Sequence, residues 1–227
     1  MGAMRWIRLL GVIELGFVAL LTTVSPHRIG PLPMGMRTPV LAFELARDEA
    51  EIERMFGPPS ATRDDWLAQM RLATVIDYAF LLAYGAFFAC AARALLRDAE
   101  RRRPLHFAFG LACLAPLADM AENSFMLTIL DTIDSSYAAA LSGLAYATWI
   151  KWFALAVCVA CLCPTLFRHA SFAARAAAVF GALALPVTLA ALLMRGIFAE
   201  AMFTCNALCT IGIWVWSIRE PQRLELS

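Results

Sequence analysis

Lysine is almost absent from this chain. Lys151 is the single lysine among nineteen basic residues, and it lies inside an apolar run. Charge of either sign is scarce, 16% of 227 residues, and the formal net charge of +1 argues against nucleic acid as a partner. Histidine is limited to His27, His106 and His169, which sit at span ends without H-E-x-x-H spacing. Histidine-based metal catalysis is therefore not expected, and no metal site is assigned. A Gly-rich phosphate loop and a G-x-S-x-G elbow are both missing, and no cofactor is expected. The seven cysteines all fall inside apolar runs and read as small packing residues rather than disulfides. Cys158-x-x-Cys161 has the spacing of a redox pair, but it lies toward a cytoplasmic span end, where thiols stay reduced.

What the chain has in abundance is apolar surface. It is 61% hydrophobic with a mean hydropathy of +0.68, more than a soluble domain can hide, so the class is integral membrane protein. The first apolar run, 6–24, follows Arg5 and includes Arg8. It lacks a small-x-small cleavage site and contains Glu14, so a retained helix is expected rather than a signal peptide. Further spans are expected near 72–92, 107–127, 140–160, 173–194 and 197–217, the third and fifth carrying Pro116 and Pro186. Pro116 should leave the Ala112 carbonyl without its helical donor. Arg71 and Arg93 are placed to snorkel at the ends of the second span.

Residues 25–66 differ in kind. The turn-rich HRIGPLPMGMRTP precedes VLAFELA (40–46), which alternates loosely and predicts a short extended segment. Asp48 and Glu51 then make a capping-box-like start for an amphipathic helix with Ile52, Met55 and Phe56 on one face, stopped by Gly57-Pro58-Pro59. This insertion reads as a small cap on the membrane surface or over a cavity mouth. Arginines cluster at Arg5 and Arg8, at Arg97, Arg101, Arg102 and Arg103, at Arg168, and at Arg219 and Arg223, whereas the alternate loops carry Asp131 and Asp134, or Arg195 alone. The positive-inside rule puts both termini in the cytoplasm and 25–66 outside. The expectation is an all-α bundle of six transmembrane helices, one domain over 1–227 with an extracytoplasmic cap at 25–66. Its expected location is a bacterial inner membrane, with membrane lipid as its partner; no oligomeric state is assigned.

The stretch Leu114–Leu130 carries Asp119, Glu122 and Asn123 within two helical turns, all on one face. A carboxylate near the bilayer centre costs about 2.5–3.5 kcal/mol on insertion scales. Asp77 and Tyr84 share a face of the second span, and Thr148 and Lys151 a face of the fourth. Depth along each span puts Glu14 and Lys151 near the midplane and Asp77, Asp119 and Glu122 in the outer half. Fully ionised, Glu14, Asp77, Asp119 and Glu122 against Lys151 leave a net −3. Protons, water or a cationic ligand group must then complete the site.

The patterns D-x6-Y (Asp77, Tyr84), D-x-x-E-N (Asp119, Glu122, Asn123) and T-x-x-K-W (Thr148, Lys151, Trp152), with the FELA segment Phe43–Ala46, resemble an uncharacterised bacterial multi-pass membrane protein family. The resemblance covers about residues 40–155. It implies that these polar positions belong together and carries no activity with it.

Three functional classes follow. The first is a binding or transport protein whose outward-open cavity holds a small cationic or amphipathic molecule, or exchanges protons. Its ligand-binding residues are Glu14 at the floor, Asp77, Tyr84, Asp119, Glu122, Asn123, Thr148 and Lys151. The second is a lipid-modifying hydrolase or transferase with Asp119 or Glu122 as acid or base and Lys151 as electrostatic stabiliser, for which only Ser124 and Thr148 are nearby nucleophiles. The third is a structural or accessory subunit, in which Lys151 pairs with Asp119 or Glu122 to fasten helices and Asp77 bonds to Tyr or Asn.

Overall fold

A computed structural model describes residues 2–97, 99–100 and 102–219; Arg101 and Arg223 of the arginine pattern lie outside the described residues. Six helices are long and apolar enough to cross a membrane: α1 (Ala3–Val24), α4 (Ala61–Leu95), α5 (Arg103–Asp131), α6 (Ala138–Leu166), α7 (Phe172–Met194) and α8 (Ile197–Arg219). Two short helices, α2 (Pro39–Glu44) and α3 (Glu49–Phe56), lie between α1 and α4. The described residues contain no strand. All six expected spans are present as helices, the form in which a backbone in hydrocarbon bonds to itself.

Each long helix packs against its sequence neighbours, and α1 returns against α8, so the six form a closed bundle. At that closure Arg8 Nε donates to the Ser217 carbonyl at 2.7 Å, and Trp214 Nε1 donates to the Arg8 carbonyl at 3.2 Å. The α4–α5 contact is unusually close. A Cβ on Gly85 would lie 2.4 Å from Pro116 Cγ and 3.1 Å from the Ala112 carbonyl, the same carbonyl that Pro116 leaves without a helical donor. Helix α5 nevertheless runs unbroken through Pro116. All seven cysteines are free thiols, and Cys158, Cys163, Cys205 and Cys209 are buried.

Helix α4 overruns the expected second span. Its 35 residues extend about 52 Å at 1.5 Å each, against a hydrocarbon core of about 30 Å. Ser60 caps it by accepting from Arg63 N at 3.2 Å, so the expected boundary at residue 66 falls inside a continuous helix. The protruding turns are held by charge. Arg63 pairs with Asp134 at 2.7 Å, and Arg71 pairs with Asp131 rather than merely snorkelling.

The cap holds one correction. Of residues 40–46, expected to be extended, 40–44 are helical, within α2 over Pro39–Glu44. Pro39 at the first helical turn presets φ, and Leu41, Ala42 and Phe43 are buried consecutively, which a strand with one solvated face could not achieve. Helix α3 matches expectation: Asp48 accepts from Glu51 N at 2.8 Å, Glu51 accepts from Arg47 N at 3.0 Å, and Ile52, Met55 and Phe56 are buried. Phe56 meets Phe43 edge-on with centroids 5.6 Å apart, so the two short helices share a core.

The α7–α8 turn anchors the cap. Arg195 donates to both carboxylate oxygens of Glu51, at 2.7 and 2.5 Å, and to the Leu45 carbonyl at 2.7 Å. Glu200, in the first turn of α8, accepts from Arg37 N at 2.7 Å, from Thr38 N at 2.9 Å and from the Thr38 hydroxyl at 2.8 Å. Gly196 between them has φ +57°, and a Cβ there would meet the Met34 carbonyl at 2.9 Å. The Arg195 guanidinium bonded to Glu51 holds that carboxyl below its usual range.

Candidate functional site

The anchored cap delivers Glu44, the last residue of α2, to Lys151 in the middle of α6. There Lys151 Nζ lies 2.5 Å from Glu122 Oε1, 3.1 Å from Glu44 Oε2 and 3.4 Å from Asp119 Oδ1. The side chains are 6% (Lys151), 1% (Glu122), 12% (Glu44) and 6% (Asp119) exposed. These groups are packed against one another rather than lining the expected outward-open cavity, and Glu44 from the cap covers Lys151. Trp152 Nε1 also donates to Glu44 Oε2 at 3.3 Å, Thr148 Oγ1 donates to the Glu44 carbonyl at 3.2 Å, and the Lys151 ammonium lies 5.0 Å from the Trp152 ring centroid.

Two side-chain bonds extend the cluster onto α4. Tyr84 donates to Asp119 Oδ2 at 2.8 Å, and Asn123 Nδ2 donates to Asp77 Oδ2 at 2.8 Å. They form two rungs between antiparallel helices, so the seven-residue spacing on α4 and the four-residue spacing on α5 meet face to face. Of the expected ligand residues, Asp119, Glu122 and Thr148 gather at Lys151 and Glu44, and Tyr84 joins them through Asp119. Asn123 and Asp77 pair beside them. Glu14 does not join. It is buried at 5% exposure, its Oε1 has no hydrogen-bond partner, and no bond links it to the others.

Glu44 is the residue that the sequence argument left out of the site. Its only signals were its place in the FELA segment and its being the one acid in VLAFELA. Burial above all, and nearby Asp119, push its carboxyl above the usual range against the pull of Lys151.

Three carboxylates face one ammonium, a formal −2, or −3 with Asp77 included. Glu122 Oε2 is buried without a hydrogen-bond donor, and Asp119 Oδ1 has only the 3.4 Å ion pair with Lys151. Among the described residues no group of histidine, cysteine and acidic side chains is arranged to hold a metal ion. The ammonium already occupies the place among the carboxylates that a cation would take. The two candidate nucleophiles are both committed: Ser124 Oγ donates to the Met120 carbonyl and contacts Tyr78, and Thr148 donates to Glu44. A separate groove of about 310 Å³, lined by Ala145, Tyr146, Trp149, Ile150 and Phe153, lies on the outward-turned face of α6. Compared with protein-family models, with curated proteins and with solved structures, the chain gives no match.

Proposed function

We propose that this multi-pass membrane protein binds or transports a small cation, the proton included, at the buried cluster of Glu44, Asp119, Glu122 and Lys151, with Asp77 beside it. The observation that carries this reading is numerical: one ammonium is surrounded by three carboxylates, Asp119 and Glu122 buried and Glu44 only 12% exposed. A fastener between helices needs one acid for one base, and the surplus acids must hold protons or accept a mobile cation. Tyr84 and Asn123 orient Asp119 and Asp77, and Glu44 stands on the only wall of the cluster supplied by the cap. Release of the cap would therefore open the cluster on the side that the arginine pattern assigns to the exterior.

The lipid-modifying reading is weaker because neither nearby hydroxyl points its proton at an acid that could remove it. The structural reading accounts for one pair but not for the surplus.

Reconstitution into liposomes with an enclosed pH-sensitive dye tests the proposal. An imposed proton, sodium, potassium or methylammonium gradient should move internal pH faster than in protein-free vesicles, and Glu122→Gln should remove most of the difference. Equal rates with and without protein under every gradient would end this reading.

A further inference from the structure

The cluster specifies the chemistry of its cation more narrowly than charge alone. Lys151 presents three N–H donors, and three oxygens from three different residues surround it: Glu122 Oε1, Glu44 Oε2 and Asp119 Oδ1. The Trp152 ring lies against the same nitrogen at 5.0 Å, the arrangement that favours a desolvated cation over an aromatic face. Trp152 and Thr148 in turn hold Glu44 in place. The result is a cage for a primary ammonium group, occupied at present by one tethered to the protein. One of its carboxylate oxygens, Glu122 Oε2, remains buried without a donor on a residue that is 0% exposed. This unpartnered acceptor is what a resident lysine alone does not explain.

We propose that the cage recognises the primary ammonium group of a ligand, which takes carboxylate partners from Lys151 when α2 withdraws Glu44. This inference rests on the cation-binding reading above and names its ligand class. The same head group occurs on soluble amines and on aminophospholipids, and both offer three donors. A quaternary ammonium offers none and should be refused. The wall that must move is known: α2 is held by Glu200 at residues 37–38, and the chain just after it by Arg195 at Leu45 and Glu51.

Thermal unfolding of the wild-type protein in phosphatidylglycerol nanodiscs tests this, with ethylammonium or tetramethylammonium chloride added at matched ionic strength. A saturable rise in Tm with ethylammonium alone is expected. Lys151→Ala, which vacates the cage, should be destabilised and should recover more of its Tm with ethylammonium than the wild type gains, again without response to tetramethylammonium. If Lys151→Ala does not fold, the wild-type comparison decides alone. A wild type that responds to both salts equally, or to neither, overturns the proposal whatever the variant does. If dye-loaded vesicles still exchange protons in that case, the ligand class has failed and the cation reading stands. Native mass spectrometry from phosphatidylethanolamine and phosphatidylglycerol nanodiscs separates the sources. Selective retention of phosphatidylethanolamine indicates a lipid head group, and equal retention with a persisting ethylammonium shift indicates a soluble amine.

Discussion

Replacing Arg195 with methionine keeps the length of the side chain and removes the charge that fastens the cap. In the wild type the guanidinium makes two bonds to Glu51 and one to the Leu45 carbonyl, with side chains only 12% and 11% exposed. The variant strands a largely enclosed carboxylate and a carbonyl just past the end of α2. Breaking a buried ion pair from one side costs about 3–5 kcal/mol. Glu51 keeps its bond from Arg47 N, so we take the lower end, about 3 kcal/mol. At 1.36 kcal/mol per factor of ten, local opening of the cap becomes about a hundredfold more frequent. Amide hydrogen exchange in nanodiscs reads this directly. Amides of residues 37–57 should exchange about two orders of magnitude faster, while those in the middle of α5 and α6 keep their wild-type rates. Glu51→Gln should give a similar change, and the double variant little more than either, because each removes the same interaction. Unaltered exchange over 37–57, or effects of the two substitutions that simply add, would refute the claim that this pair latches the cap.

Three further outcomes follow from the same geometry. Lys151→Met leaves three buried carboxylates without their counter-charge and should lower stability by about 3–5 kcal/mol; adding Glu122→Gln should recover part of the lost Tm, and no recovery would mean that the acids do not repel one another. Gly85→Ala forces a methyl group against Pro116 and should cost about 1–3 kcal/mol by overpacking, read as a lower Tm, with a neutral result meaning that α4 and α5 can separate without cost. The Glu51 carboxyl is lowered in the folded protein, chiefly by its bonds to Arg195. Its contribution is therefore present above the ordinary carboxylate pKa and is lost as pH falls through the lowered folded value. Wild-type Tm should decline over that acid range more steeply than the Tm of Arg195→Met; parallel profiles would contradict the assignment.

The parts of this fold that one helix dictates to itself were legible in the sequence. Span number came from apolar length, the α3 cap from Asp48 and Glu51, and the inward faces of α4, α5 and α6 from helical spacing. What depends on contacts distant in sequence was not legible. Nothing near Glu44 in sequence says that it meets Lys151, 107 residues away. The loose alternation of VLAFELA suggested a strand because the pattern contained no sign that every side of the segment would be buried. Glu14 failed in the opposite sense. The expectation rested on its depth, and depth along a helix axis carries no information about which neighbour the residue faces. Arg195 looked like the mark of a loop, and its role in holding the cap, shared with Glu200, emerges only when residues 37–51 fold back onto them.

Energetics separates a cluster maintained for packing from one maintained for a ligand. Intramembrane polar contacts contribute about 0.6 kcal/mol each on average, because polar groups find partners in the unfolded reference state as well. Well-packed apolar replacements for a buried ion pair are often neutral or stabilising by about 1–4 kcal/mol. A chain that needed only adhesion between α5 and α6 could obtain it from leucine and alanine, which both helices already have in quantity. Instead α5 supplies two acids, α6 supplies the one lysine of the sequence, and the cap contributes a third acid at the end of a six-residue helix held by two separate anchors. Each addition raises the electrostatic cost of the closed state. A third carboxylate placed on a short helix outside the six long ones makes that cost depend on where that helix sits, and a bound cation would relieve the cost most effectively.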